Sequence, residues 1–164
     1  MSAPSKHVAI YLRDHEAAAR AGLDLAKRTA SGQRRRAYAH VLNDIVQEIR
    51  EDLSSLRDVL RAVGVRPDPL LGTALRVGER LGRWKPNGTL VRRSALSDLF
   101  EIEALLDAVR AKGAGWAALR AAGLDEVPRM PDLAELSDRA TSQVARLEDL
   151  HAQVARRVLE QGAA

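Results

Sequence analysis

Apolar residues recur along this chain with the 3.6-residue period of an amphipathic helix, and strands are not indicated anywhere. Glycine, proline and asparagine clusters divide the pattern into segments. The spacing predicts five helices, over about residues 6–30, 34–63, 69–84, 94–122 and 132–160. We therefore expect an all-α protein with a single domain over residues 1–164.

The four longer segments each have one apolar face, and such helices bury those faces best in a four-helix bundle. Their loops, centred near residues 32 and 127, are short. The first two long helices are therefore predicted to form one antiparallel hairpin and the last two another, with the helix over 69–84 in the connector. The inward faces include six aliphatic residues expected to be buried: Leu42, Ile49, Leu56, Leu106, Leu147 and Val154.

Composition narrows the class of protein further. Aromatic residues make up 3% of the chain and β-branched residues are sparse, which argues against a sheet. The absence of cysteine excludes disulfides, thiolate metal sites and cysteine nucleophiles. The chain contains no run of ~18 apolar residues that could span a membrane. Its first residues lack the apolar core of a signal peptide. These features lead us to expect a cytoplasmic protein.

Positive charge is concentrated in the connector. The whole chain has a net charge of +4, whereas residues 65–93 carry seven basic and two acidic groups. The basic patch predicted there comprises Arg76, Arg80, Arg83, Lys85, Arg92 and Arg93. A basic amphipathic helix can bind anionic lipid or nucleic acid. The simpler interpretation is that its apolar face packs on the bundle and its arginines point into water. The basic run at 34–36 could contact the phosphate of an outside partner, and the simpler interpretation there is a run exposed to solvent.

Polar residues on the apolar faces are the candidates for a functional site. Six lie on or beside the inward faces: His15, Glu48, Asp52, Glu103, Glu148 and His151. With the loops centred as above, His15 lies level with Glu48 and Asp52, and His151 lies level with Glu103. Because a buried charge needs a partner, we predict that each histidine pairs with the carboxylate facing it.

In the second hairpin, Glu103 and the run Glu148-Asp149-Leu150-His151 resemble the ferritin-like bundles. Helices 1 and 3 of those families each provide an inward carboxylate, and helices 2 and 4 each provide Glu-x-x-His; a long connector between helices 2 and 3 is also similar. The first hairpin departs from this ligand pattern. Residues 48–51 end in glutamate instead of histidine, and the first helix offers His15 or Glu16 as its inward residue. The resemblance implies an iron or manganese site formed by His15, Asp52, Glu103, Glu148 and His151, donors that suit zinc as well.

A second resemblance is to short bacterial helical proteins. It rests on the run Tyr11-Leu12-Arg13-Asp14-His15 and on the glycine- and arginine-rich stretch 78–88. It implies the helical fold and no particular activity.

Three functions remain open. The first is a non-catalytic bundle that associates with itself or with another protein, which requires no cofactor. The second is a ferritin-like oxidoreductase that binds iron or manganese, and the third is a binder of nucleic acid or of an anionic membrane surface through the basic patch. We favour the first, because no catalytic set is complete and no residue is assigned a catalytic role.

Overall fold

The computed structural model describes residues 5–66 and 95–160. These residues form four long helices: α1 (Lys6–Gly32), α2 (Ala39–Ala62), α3 (Ala95–Ala121) and α4 (Leu133–Glu160). A 3₁₀ turn at Leu124–Glu126 lies between α3 and α4. The predicted all-α four-helix bundle is confirmed. The connector helix predicted over 69–84 lies outside the described residues.

The helix ends agree with the predicted ones within two residues, except where α2 begins. Residues 33–38 form turns, so α2 starts at Ala39 rather than near Arg34. Ser31 and Gly32 are the last two residues of α1, and Gly32 lacks the positive φ of a terminating glycine. The chain turns after Gln33, whose backbone N–H still donates to the carbonyl of Thr29.

Two other helix boundaries lie where the sequence predicts them. Gly64 has a φ of 73°, and the amides of Gly64 and Val65 donate to the carbonyls of Arg61 and Leu60, which is the Schellman pattern. Asp132 caps α4, since its Oδ1 accepts bonds from the amides of Ala134 at 2.8 Å and Glu135 at 3.0 Å.

The helices pack as a ring in which each is antiparallel to its neighbours. α1 packs against α2 and α3, and α4 packs closely against α3 and more sparsely against α2. We call the end with residues 33–38 the upper end and the end with residues 122–132 the lower end. Val63 packs with Trp116 and Leu133 at the lower end, whereas Asp98 contacts Arg36 at the upper end. α2 therefore ends at the lower end of the bundle, whereas α3 begins at the upper end.

Two apolar clusters fill the interior, one in the upper half and one in the lower half. All six side chains predicted to be buried are buried. Leu56 belongs to the lower cluster and the other five to the upper cluster. The predicted apolar faces are thus the ones the bundle covers.

Two glycines of α3 allow neighbouring helices to approach closely. A Cβ at Gly115 would lie 2.9 Å from Cδ2 and 3.0 Å from Nε2 of His15 on α1. A Cβ at Gly113 would lie 3.4 Å from the Cβ of Ala140 on α4. Both glycines thus face a neighbouring helix, and at Gly115 there is no room for a side chain.

Gly115→Ala is expected to lower the free energy of unfolding by about 1–3 kcal/mol, because the new methyl group displaces the His15 ring. Gly22→Ala is the matched control: it also lies inside a helix, but a Cβ there would meet nothing within 4 Å. That change should raise the free energy of unfolding by about 0.5–1 kcal/mol through helix propensity. Urea denaturation measures both, and stabilisation by both substitutions would contradict the close contact.

Candidate functional site: polar clusters between the helices

Asp52 lies at the centre of a polar cluster between α2, α3 and α4. The Asp52 cluster comprises Glu48, Asp52, Lys112, Arg139, Gln143 and Arg146. The Asp52 side chain is 2% exposed, and its Oδ2 accepts hydrogen bonds from Lys112 Nζ and, at 3.1 Å, from Gln143 Nε2. Arg139 Nη2 forms an ion pair with Oδ1 at 2.7 Å. The carboxylate predicted on the inward face of α2 is therefore buried and neutralised by cations from the second hairpin.

Gln143 and Glu48 extend this cluster towards the surface. Gln143 is fully buried; its oxygen accepts a bond from Lys112 and its amide nitrogen also donates to Glu48 Oε2 at 3.0 Å. Arg146 donates to the same Glu48 oxygen at 2.5 Å. The cluster thus joins α2 to α4 through two acids, two arginines and one amide.

The cluster changes the proton affinity of two of its members. Burial lowers the pKa of Lys112, and the nearby Asp52 carboxylate only partly offsets that effect. Burial raises the pKa of Glu48, but the hydrogen bonds from Arg146 and Gln143 and the charges of Arg146 and Lys112 outweigh it, so this pKa is lowered. The acidic neighbours of Lys112 and the basic neighbours of Glu48 thus favour the charged form of each group.

One geometric defect remains inside the cluster. The contact between Arg139 and Asp52 is close but poorly aligned, and within the described residues neither Asp52 Oδ1 nor Arg139 Nε has a hydrogen-bond partner. An unsatisfied buried polar atom costs about 1–3 kcal/mol. The Arg139–Asp52 contact is therefore an ion pair without a well-directed hydrogen bond, unlike the other contacts of the cluster.

His151 and Glu103 form the predicted pair on the second hairpin. His151 Nε2 donates to Glu103 Oε1 at 2.9 Å, and both side chains are about one-third exposed. Glu148 is exposed and accepts a bond at 2.7 Å from Arg110 on α3. These two contacts lie along the outer boundary between α3 and α4.

His15 is placed differently from the prediction. Its Nδ1 donates to the carbonyl of Tyr11 at 3.0 Å, and its ring packs on Gly115. The ring also lies against that of Tyr11, with the centroids 4.1 Å apart and the planes tilted by 35°. Among residues 5–66 and 95–160, no hydrogen bond joins it to Asp52 or Glu48, so the predicted pairing is not formed. The reason is the displaced turn, because the contact of Glu16 with Arg57 puts the hairpin centre between residues 36 and 37 rather than near 32.

Glu16 rather than His15 takes the inward position on this turn of α1. It is 2% exposed and accepts bonds from Arg20 Nε at 2.8 and 2.9 Å and from Arg57 Nε at 3.2 Å. Its position follows from the buried series Leu12, Glu16, Leu23 and Ala26, whose spacing fits a helix. That series was visible in the sequence, although the arginines that neutralise Glu16 were not identifiable from it.

Asp98 is a further buried carboxylate and was not anticipated. Arg36 donates to its Oδ2 at 2.6 and 3.0 Å, and Arg157 lies 3.6 Å from the same oxygen. Gln33 Nε2 donates to the carbonyl of Asp98 at 3.2 Å and accepts at its oxygen a bond from Tyr38 at 2.7 Å. Arg36 of the basic run therefore joins the α1–α2 turn to α3 instead of facing an outside partner.

The five proposed metal ligands do not come together. Asp52 contacts Lys112 and Arg139, Glu148 contacts Arg110, and His15 contacts Tyr11, which leaves Glu103 with His151 as a pair. Within the described part of the chain, no group of three or more His, Cys, Asp or Glu side chains is arranged to hold a metal ion.

The basic patch from Arg76 to Arg93 lies outside the described residues, so its role stays a prediction.

No protein-family model, curated protein or solved structure matches this chain. The resemblance to ferritin-like bundles therefore stays a prediction. None of the helices in residues 5–66 and 95–160 combines the length and apolar character needed to cross a membrane.

Proposed function

We propose that this protein acts by associating with a second copy of itself and not by catalysing a reaction. The observation that carries the proposal is a group of large apolar side chains exposed at the upper end of the α3–α4 hairpin. The end patch, as we call it, consists of Leu96, Phe100 and Leu159, which are 46, 50 and 60% exposed. Contiguous exposed apolar surface of this kind is typical of protein interaction sites.

Helix geometry makes the end patch continuous. Leu96 and Phe100 lie one turn apart on α3, on the same line as Glu103 and Arg110. Leu159 lies on the line of α4 that carries Glu148 and His151. Since Glu103 contacts His151 and Arg110 contacts Glu148 across the boundary, the two lines run side by side and their upper ends meet.

The charges beside Leu159 favour a second copy as the occupant. Arg156 and Glu160 are exposed one turn apart on α4, and neither forms an ion pair within the described residues. A two-fold axis through the patch would place Arg156 of one copy opposite Glu160 of the other, because an isologous interface repeats each contact twice. One patch thus supplies both halves of a complementary interface.

The buried acids support a structural role for the polar clusters. Glu16, Asp52 and Asp98 each have two cationic side chains as neighbours. Such pairing gives each buried acid cationic partners and joins helices to one another. We therefore place the function of the protein on its exterior.

Leu159→Glu is expected to weaken self-association by about 10–100-fold, since it introduces an unpaired charge into an apolar contact. Sedimentation velocity over a concentration series measures the dissociation constant. Ile10→Glu is the matched control, because Ile10 is 40% exposed on α1 near the lower end and should leave association unchanged. A protein that stays monomeric at all concentrations, or equal weakening by both variants, would refute the proposal.

A further inference from the structure

We infer that the exposed face shared by α1 and α2 binds the phosphate backbone of double-stranded DNA. This face lies on the side of the ring opposite the α3–α4 boundary, so the inference goes beyond the proposed self-association. It rests on a line of cationic side chains, which we call the seam row. The seam row consists of Arg13, Arg20, Lys27, Arg50, Arg57 and Arg61.

The seam row follows the boundary between α1 and α2. The buried Glu16 marks this boundary, because it contacts Arg20 on its own helix and Arg57 on α2. The other two cations of α1, Arg13 and Lys27, lie seven residues before and seven residues after Arg20, which is about two helical turns. The three cations of α1 therefore lie on one line of that helix, beside α2.

α2 contributes the other three cations. Arg50 and Arg61 lie seven residues before and four residues after Arg57, on the same side of the helix. The opposite side of α2 carries Glu48 and Asp52, which bind arginines of α4. The acidic side of α2 is thus neutralised inside the bundle, whereas its basic side accompanies α1 along the outer face.

The six cations form a continuous series along this face. Because Glu16 lies level with Arg57, the cations of the two antiparallel helices alternate in height over about 22 Å. From the lower end upwards, their order is Arg61, Arg13, Arg57, Arg20, Arg50 and Lys27. Double-stranded DNA carries one negative charge per ~1.7 Å of its axis, so the seam row can contact several phosphates at once.

The seam row keeps an excess of positive charge that is open to a ligand. Within residues 5–66 and 95–160, the acids paired with it are Glu16, Asp24 and Asp58, which leaves a net charge of +3. Four of its side chains are between 41 and 73% exposed. Arg57 bonds to Glu16 through Nε at 3.2 Å, which leaves its two terminal nitrogens for a phosphate oxygen.

The charge of the two hairpins favours a polyanion on this side of the bundle. Residues 5–66 contain twelve basic and eight acidic side chains, whereas residues 95–160 contain eight basic and twelve acidic ones. The first hairpin therefore attracts DNA and the second repels it. This asymmetry orients the protein with the seam row towards the DNA.

The other side chains of the first hairpin favour a duplex over other anionic partners. Its two aromatic residues, Tyr11 and Tyr38, contact His15 and Arg157, so the seam row lacks the stacking surface that single strands require. In residues 5–66, Ile10 is the one large apolar side chain that is exposed, which is too little apolar surface to enter a lipid bilayer. Contacts to phosphates alone give binding that depends on salt and not on base sequence.

Fluorescence anisotropy of a labelled duplex measures the binding. A duplex of about 20 base pairs, at ~3.4 Å per base pair, is longer than the seam row. Arg50→Gln with Arg61→Gln removes two cations of the row, and both side chains contact residues of their own helix. Arg110→Gln with Arg120→Gln is the matched control, because it removes two exposed arginines from α3 and changes the net charge equally. Circular dichroism confirms that each variant is folded.

We expect the affinity of the unsubstituted protein to fall about 100-fold between about 50 and 200 mM salt, as for about four phosphate contacts. The α2 double variant should bind about 10-fold more weakly at the lowest salt concentration, with a salt dependence smaller by about two phosphate contacts. The α3 double variant should bind within about 3-fold of the unsubstituted protein, since it keeps the seam row.

Three results would overturn the inference. The first is an unsubstituted protein that does not bind the duplex. The second is binding that the α2 double variant leaves unchanged, or that both double variants weaken equally. The third is an α2 double variant that loses binding to phosphatidylserine vesicles and keeps its binding to the duplex, since the seam row would then contact a membrane.

Discussion

Asp52→Ala is expected to lower the free energy of unfolding by about 3–5 kcal/mol, which is the range for removing one partner of a buried ion pair. The substitution leaves Lys112 and Arg139 facing each other without the carboxylate that neutralises both. It also takes away one of the two acceptors of the buried Gln143 amide. Urea denaturation followed by circular dichroism gives the free energy.

Asp58→Ala is the control for the loss of an acid from the same helix. Asp58 pairs only with Arg61 within the described residues, and both side chains are largely in water, so its loss should cost no more than ~1 kcal/mol. A second comparison removes the charges together: Asp52→Leu combined with Lys112→Met should be less destabilising than Asp52→Ala. Equal losses for Asp52→Ala and Asp58→Ala would show that the Asp52 cluster does not stabilise the fold.

Leu147→Ala is expected to lower the free energy of unfolding by about 2–5 kcal/mol. Leu147 is fully buried in a cluster with residues from all four helices, so truncating its side chain leaves a cavity there. Thermal and urea unfolding should both show the loss. Ile10→Ala truncates an aliphatic side chain that is 40% exposed, and it should change the free energy by less than ~1 kcal/mol. A small effect at Leu147 would mean that the upper cluster refills the cavity.

The period of the apolar residues was sufficient to predict the four long helices, the six buried aliphatic side chains and one polar pair. His151 and Glu103 were predicted correctly because the centre of the second hairpin lies where the sequence places it, near residue 127. The centre of the first hairpin is displaced by the six-residue turn at 33–38. That turn is stabilised by Gln33 and Arg36, whose partners on α3 are more than 60 residues away.

The cations of the polar clusters could not be found by the same reasoning. Lys112 and Arg139 reach Asp52 with long side chains from positions beside the apolar faces, so helical spacing does not distinguish them from surface residues. Glu16 and His15 are neighbours on α1, and the choice between them depends on a rotation of about 100°. An error in the predicted rotation of α1 therefore places the half-buried His15 where the buried Glu16 lies.

The placement of the cations has a consequence for the order in which the chain folds as it is synthesised. Glu16 receives both of its arginines from the first hairpin, so its interactions are complete once α1 and α2 have left the ribosome. Asp52 has to wait for Lys112 and Arg139, which emerge at least 60 residues later. Until then its carboxylate remains hydrated and places a charge on the apolar face of α2. This charge opposes aggregation of the unfinished protein, and the same group later joins the two halves.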